Sequence, residues 1–299
     1  MCSNTSSINW WVQCIKFWLI LRQLGTVRLM LMPASTRTHT TLTGFLNSYS
    51  FIGHSKIGML LGAGLKNKYL VEIVGTFILV YAICSAATVY SGNVLLGIVG
   101  LGQLQMIGVG LVHAFVLTAI VYAIGYRSGA QVNPAVTIGL LVTGKMHGKE
   151  AALTIACQIL GAVIAAAVVY SMFGSEMAAS VTLPADGNAI RAFILETVMT
   201  FTLVYVVLVT TTSKNYKIAP LAGVAIGFTL GFNVILGGSI SGGSLNPARS
   251  FAPALIVGNF DFQWIYWIAP ILGGLIAAGV YKGLHKDLDL PSPEAEQIK

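Results

Sequence analysis

Ser128-Gly-Ala-Gln-Val-Asn-Pro-Ala-Val-Thr137 and Ser241-Gly-Gly-Ser-Leu-Asn-Pro-Ala-Arg-Ser250 are two copies of one element within a single chain. In both, Asn (Asn133, Asn246) is followed directly by Pro (Pro134, Pro247) and Ala (Ala135, Ala248). Asn is a strong helix N-cap and Pro is favoured at the first helical position, so each copy predicts a helix beginning at its Asn. Gly144 and Gly258 are suitable C-terminal stops. A helix of about 11 residues rises roughly 16 Å, half of a hydrocarbon core of about 30 Å. Two such half-helices reaching in from opposite faces of a bilayer would meet tip to tip at its midplane. Irregular backbone at that depth is tolerated only if buried in protein or lining a wet cavity.

The rest of the chain supplies a bilayer setting. It is 56% hydrophobic and only 9% charged, against about 25% charged in ordinary soluble domains. Six apolar stretches can be drawn, at residues 69–90, 104–126, 151–173, 190–211, 218–237 and 264–284. Each is about 20 residues, enough to cross the hydrocarbon core as a helix. Gly and Ala recur inside them, and small residues let helix backbones approach closely in lipid.

These stretches repeat. Glu72-Ile-Val-Gly-Thr-Phe-Ile-Leu-Val-Tyr in the first matches Glu196-Thr-Val-Met-Thr-Phe-Thr-Leu-Val-Tyr in the fourth. Ile159-Leu-Gly-Ala-Val-Ile-Ala-Ala-Ala in the third matches Ile271-Leu-Gly-Gly-Leu-Ile-Ala-Ala-Gly in the sixth. Repeats at about 66–173 and 190–284 thus hold three spans each. An odd number inverts the second repeat relative to the first, and inverted repeats place a site near the midplane at their interface.

The loops set an orientation. Lys66, Lys68, Arg127, Lys145, Lys149, Lys214, Lys217, Lys282 and Lys286 fall on one side, while Arg249 and Arg191 fall on the other. The positive-inside rule puts the first side, with both termini, in the cytoplasm. The net charge of +7 is matched by seven basic residues before Glu72; this is a terminal feature and not a nucleic-acid surface. Residues 1–65 form a basic extension, either disordered or targeting, and residues 286–299 a cytoplasmic tail. The stretch from Trp10 to Met32 is apolar but broken by charges, as an interfacial helix would be. Cys2, Cys14, Cys84 and Cys157 have neither metal spacing nor a disulfide framework. Phosphate loops and nucleophile constellations are absent, so neither a cofactor nor an enzymatic activity is expected.

The paired motifs carry the chemistry. Two helix N-termini aim positive dipole ends at one spot. Two Asn amides can offer donors to a passing water while their oxygens cap backbone N–H groups. Such a site orients water and opposes cations and protons; aquaporin-type selectivity is itself the standing example of this physics.

On both motifs, both repeat glutamates and the spans between them, the chain over about residues 66–285 resembles the aquaporin, or major intrinsic protein, family. The resemblance implies six transmembrane helices plus two re-entrant half-helices, passive water conduction, and a homotetramer with one pore per subunit. It implies a four-residue filter at Arg249, three beyond Asn246; Gly243, six before that Arg; Val234 on the fifth span; and His113 on the second span, twenty before Asn133. This His-Val-Gly-Arg set resembles the plant tonoplast subgroup. It suggests ammonia, urea or hydrogen peroxide as further permeants. Glu72 and Glu196 would brace the re-entrant loops. Ser250, Ala254 and the Tyr266-Trp267 pair fit the water-channel pattern over that of glycerol channels. Gln131 departs from it, standing where many members carry His. A secondary transporter on an inverted repeat is the alternative, but beyond the two Glu little could form its ion site. Vacuolar and plasma membranes are not distinguished.

Overall fold

The computed structural model describes residues 66–91, 102–212 and 219–285. The expectations for the extension at 1–65 and the tail at 286–299 lie outside the described residues. Among the described residues there are helices and turns and no strand. The first repeat consists of α1 (Lys66–Tyr90), α2 (Gly102–Ser128), α3 (Pro134–Val142) and α4 (Gly148–Phe173). The second consists of α5 (Ala189–Thr212), α6 (Ala222–Ser241), α7 (Pro247–Val257) and α8 (Ile265–His285). A 3₁₀ segment, Gly174–Ser180, follows α4, and a shorter one, Ala219–Leu221, precedes α6.

Six of these helices are long and apolar enough to cross a membrane, all but α3 and α7. They fall on the six stretches expected from sequence, with one displacement. The fifth span was expected at 218–237; α6 starts four residues later and runs to Ser241. Pro220 lies in the 3₁₀ turn, where its missing N–H costs no α-helical bond. At the far end Gly237 and Gly238 continue the helix, and Gly242 (φ 86°) stops it in the left-handed region.

Packing follows the inverted repeat. α1 lies against α4 as α5 lies against α8, and α2 packs on α6 across the two repeats. Each half-helix rests on the third span of the opposite repeat, α3 on α8 and α7 on α4. Gly161 on α4 is so close to α1 that a Cβ there would collide with the Ile73 carbonyl oxygen; Gly273 on α8 meets the Thr197 carbonyl oxygen in the same way. Ile73 and Thr197 each directly follow the repeat's glutamate. These two crossings are therefore one contact made twice. Helix association in lipid has no hydrophobic drive and relies on such close packing.

Gly161→Ala and Gly273→Ala are each expected to destabilise the protein by about 1–3 kcal/mol, the usual range for overpacking. Gly279→Ala, where a Cβ meets nothing within 4 Å, should be close to neutral. Thermal unfolding of the three variants in detergent checks this. Equal melting of Gly161→Ala and Gly279→Ala would contradict it.

Candidate functional site

The two loops that lead into α3 and α7 have the same backbone. Gly129 (φ 84°), Ala130 (φ 47°) and Val132 (φ 44°) in the first correspond to Gly242 (φ 86°), Gly243 (φ 61°) and Leu245 (φ 53°) in the second. Non-glycine residues in this region cost roughly 1–2 kcal/mol each, most for a β-branched one such as Val132. The cost is offset by bonds on both sides of the strained residue. The Val132 amide donates to Glu72 Oε2 at 2.9 Å, and the Leu245 amide to Glu196 Oε2 at 2.8 Å. The Val132 carbonyl accepts from Asn246 Nδ2 and the Leu245 carbonyl from Asn133 Nδ2, both at 2.8 Å. Each tip thus holds the loop of the other.

Both Asn side chains also cap their own helices. Asn133 Oδ1 accepts from the Ala135 amide at 2.9 Å; Asn246 Oδ1 accepts from Ala248 at 3.0 Å and from Arg249 at 3.3 Å. Pro134 and Pro247 occupy the first turn of each helix. The sequence suggested about 11 residues for each half-helix. α7 has 11 residues and is capped by Gly258 (φ 81°). α3 has only 9 and is capped by Thr143, with Gly144 (φ 76°) one residue further out. The Thr143 hydroxyl donates to the Gly139 carbonyl at 3.0 Å, satisfying a carbonyl of the last turn.

The glutamates are buried. Glu72 receives Ser128 Oγ (2.6 Å) and the Gln131 amide (3.0 Å) on Oε1, and the Val132 amide and Gln158 Nε2 (3.0 Å) on Oε2. Glu196 receives Ser241 Oγ (2.7 Å) and the Ser244 amide (2.8 Å) on Oε1, and the Leu245 amide on Oε2. The repeat thus breaks at Gln158, whose counterpart in α8 is Pro270, a side chain without a donor. Gln158 also donates to Thr137 Oγ1 in α3 at 3.0 Å.

Arg249, in the first turn of α7, is only 3% exposed. One guanidinium nitrogen donates to the Ser180 carbonyl at 3.0 Å, while Nε has no partner. Among the described residues no carboxylate forms an ion pair with it. Two cavities meet at this side chain. One is lined by Asn133, Asn246, Gln131 and Ser244 with apolar residues of α1, α2, α5 and α6 such as Ile83, Leu117, Val207 and Leu230. The other is lined by Tyr90, Ser180, Val234 and Gly242, and Arg249 lines both. Gly243 abuts Val234: a Cβ built on it would lie 3.5 Å from a Val234 methyl. His113 is buried on α2, its Nδ1 2.8 Å from the Val109 carbonyl and its Nε2 without a partner. It feels the Arg249 charge electrostatically.

A family model described as Major intrinsic protein matches residues 59–281. The chain belongs to that family. It is a multi-pass membrane channel protein and not an enzyme. Nodulin-26 of Glycine max is 36% identical over 72% of this chain and 76% of its own length. Aquaporin TIP4-4 of Zea mays is 34% identical over 74% of this chain and 88% of its own. Aquaporin Z of Rhodopseudomonas palustris is 35% identical over 78% and 98%. Among solved structures, the aquaglyceroporin from Plasmodium falciparum superposes with a TM-score of 0.61 at 22% identity, covering 73% of this channel and 95% of that chain. At that identity the likeness speaks for the fold.

Several residues of this major intrinsic protein's site were not singled out from sequence. Gln158 carried a signal, being a polar side chain inside an apolar span. Ser180 carried none, because only its backbone carbonyl is used. Thr182 and Ser244 were not singled out either; they form a hydroxyl cluster with Ser250, which was, and which lies six residues from Ser244 in the second motif.

Proposed function

We propose that this channel conducts water passively, together with small neutral solutes such as ammonia, urea or hydrogen peroxide, and excludes protons and ions. The observation that carries the reading is the reciprocal stitching of Asn133 and Asn246 beside a cavity that they and Arg249 line together. Each Asn Nδ2 has two hydrogens. One is spent on the opposite loop carbonyl, so each amide offers one donor to a permeating water, not two. The helix N-termini behind them add positive potential, and Arg249 adds a full charge. A cation or proton at that point meets a field of its own sign.

Arg249, His113, Val234 and Gly243 form the selectivity filter on this reading. Arg249 and the unpartnered His113 Nε2 supply the polar sides, and Val234 and Gly243 leave the others open. Glu72 and Glu196 act as loop braces. Glu72 receives four donors and Glu196 three, from the loops and from side chains, so both are engaged in holding the loops, which favours a channel over a transporter. The basic residues Lys68, Arg127, Lys145, Lys149 and Lys282 on one side, against Arg191 and the buried Arg249 on the other, support cytoplasmic termini. Water and small solutes are the permeants, lipid the surroundings, and a homotetramer the assembly.

Stopped-flow measurements on loaded vesicles test the function. Water permeability should rise well above that of empty vesicles while a pH gradient decays at the background rate. A sizeable proton current in the wild type would overturn this account of the pore. The solute range rests on Val234. Val234→His should narrow the opening and lower urea flux more than water flux, by about threefold. An unchanged urea-to-water ratio would remove Val234 from the selectivity argument. That factor is what about 0.7 kcal/mol of barrier is worth.

A further inference from the structure

The inverted repeat gives each residue at the second motif a counterpart at the first. The register that carries Asn246 onto Asn133 carries Arg249 onto Val136, Gly243 onto Ala130, Val234 onto Val121 and His113 onto Ile226. All four counterparts line the cavity on the Asn side of Arg249. The cavity thus presents the positions that correspond by register to the proposed filter, with its charged and imidazole groups replaced by hydrocarbon. At these four positions a solute meets no side chain with which to bond.

Gln131 differs. It lines this cavity, it is 8% exposed, and its Oε1 has no hydrogen-bond partner. Its repeat counterpart is Ser244, whose hydroxyl is spent on the Asn246 carbonyl at 3.0 Å and on Ser250. The amide orientation is set by its surroundings. Nε2 donates to the Ser128 carbonyl at 3.3 Å, and a flipped amide would put oxygen against oxygen. The backbone on either side is held as well, by Gln131 N and Val132 N on Glu72. A buried carbonyl left unpaired is costly, and the cavity is the source from which a partner can come.

We propose that Gln131 Oε1 is a solute-binding site in this cavity, accepting a hydrogen bond from small neutral molecules that carry N–H or O–H donors, urea and ammonia above all. This rests on the channel reading above. Arg249 offers donors to a solute's carbonyl or lone pair; Gln131 offers the complementary acceptor on the other side of the Asn pair. A solute with both kinds of group, such as urea, is served at both points, whereas one with acceptors alone is not.

The test uses the full chain in vesicles and measures urea and water permeability together. Gln131→Met keeps the length and flexibility of the side chain and removes the acceptor. It should lower the urea-to-water ratio about threefold or more, the value of one neutral hydrogen bond. Should Gln131→Met fail to fold, Gln131→Cys with Cys84 and Cys157 replaced by Ser supplies the second measurement. A small methanethiosulfonate reagent should then block urea flux in Gln131→Cys and not in the Ser background alone. A wild type that conducts neither water nor urea overturns the channel reading itself. A wild type that passes water but no urea, an unchanged ratio in a well-folded Gln131→Met, or an unblocked Gln131→Cys overturns the assignment of Gln131 and leaves the channel reading standing.

Discussion

Arg249→Val is expected to raise the permeability to urea and glycerol about tenfold or more while water flux changes little. Arg249 lies where the two cavities meet, buried and bonded to the Ser180 carbonyl. Its removal enlarges the junction of the two cavities and deletes the full positive charge there. About 1.4 kcal/mol off the barrier is a factor of ten in rate, and taking away a buried charge with no ion-pair partner removes far more unfavourable potential for cations. Proton leak under a pH gradient should therefore also rise above background. Stability should fall little. The Ser180 carbonyl loses a partner, at about 1–3 kcal/mol, but the desolvation of the guanidinium is relieved. Vesicle assays of urea, glycerol and proton flux in the variant check this. A variant whose solute range matches the wild type would show that Arg249 does not set the filter.

Glu72→Gln should be the most destabilising of the single conservative changes at the site, and worse than Glu196→Gln. Both carboxylates are approached only by donors. On Glu72 each oxygen receives two, so the NH₂ of a glutamine faces two donors whichever way it turns. On Glu196 one oxygen receives a single donor, the Leu245 amide, and the glutamine NH₂ can be placed there. A hydrogen bond to a charged group is worth about 1.5–3 kcal/mol. Glu72→Gln should then cost on the order of 2 kcal/mol more than Glu196→Gln. With its NH₂ turned toward Val132 the glutamine would also free that residue, whose left-handed backbone is held by the carboxylate, and so reduce water flux as well. Melting temperatures in detergent, read with water permeability, decide the matter. Equal melting of the two variants would mean that the extra donor from Gln158 contributes nothing.

Much of the fold was legible because a bilayer leaves few choices. Backbone groups in hydrocarbon must bond internally, so six apolar stretches and the absence of charge already imply six helices. The doubled Asn-Pro-Ala implies two more that cannot span. The boundaries that moved did so for local reasons. α6 starts beyond Pro220 and runs through Gly237 and Gly238, which a hydropathy reading treats as an end. α3 stops short of Gly144 because the Thr143 side chain closes its last turn.

What the sequence determined by itself is the inverted repeat, the two helix starts at Asn133 and Asn246, and the membership of one family, since these depend on spacing and on residue types whose local physics is fixed. The tertiary structure decided how the tips are joined. Asn133 reaches the carbonyl of Leu245 and Asn246 that of Val132, and each of those bonds spans more than 100 residues of sequence. It also decided that Gln158 completes the Glu72 cluster, that Ser180 meets Arg249, and that Gln131 Oε1 is left without a partner. A backbone carbonyl has the same chemistry in every residue, so no pattern of side chains can announce which one will be used. Only the packing of one repeat against the other brings it within reach.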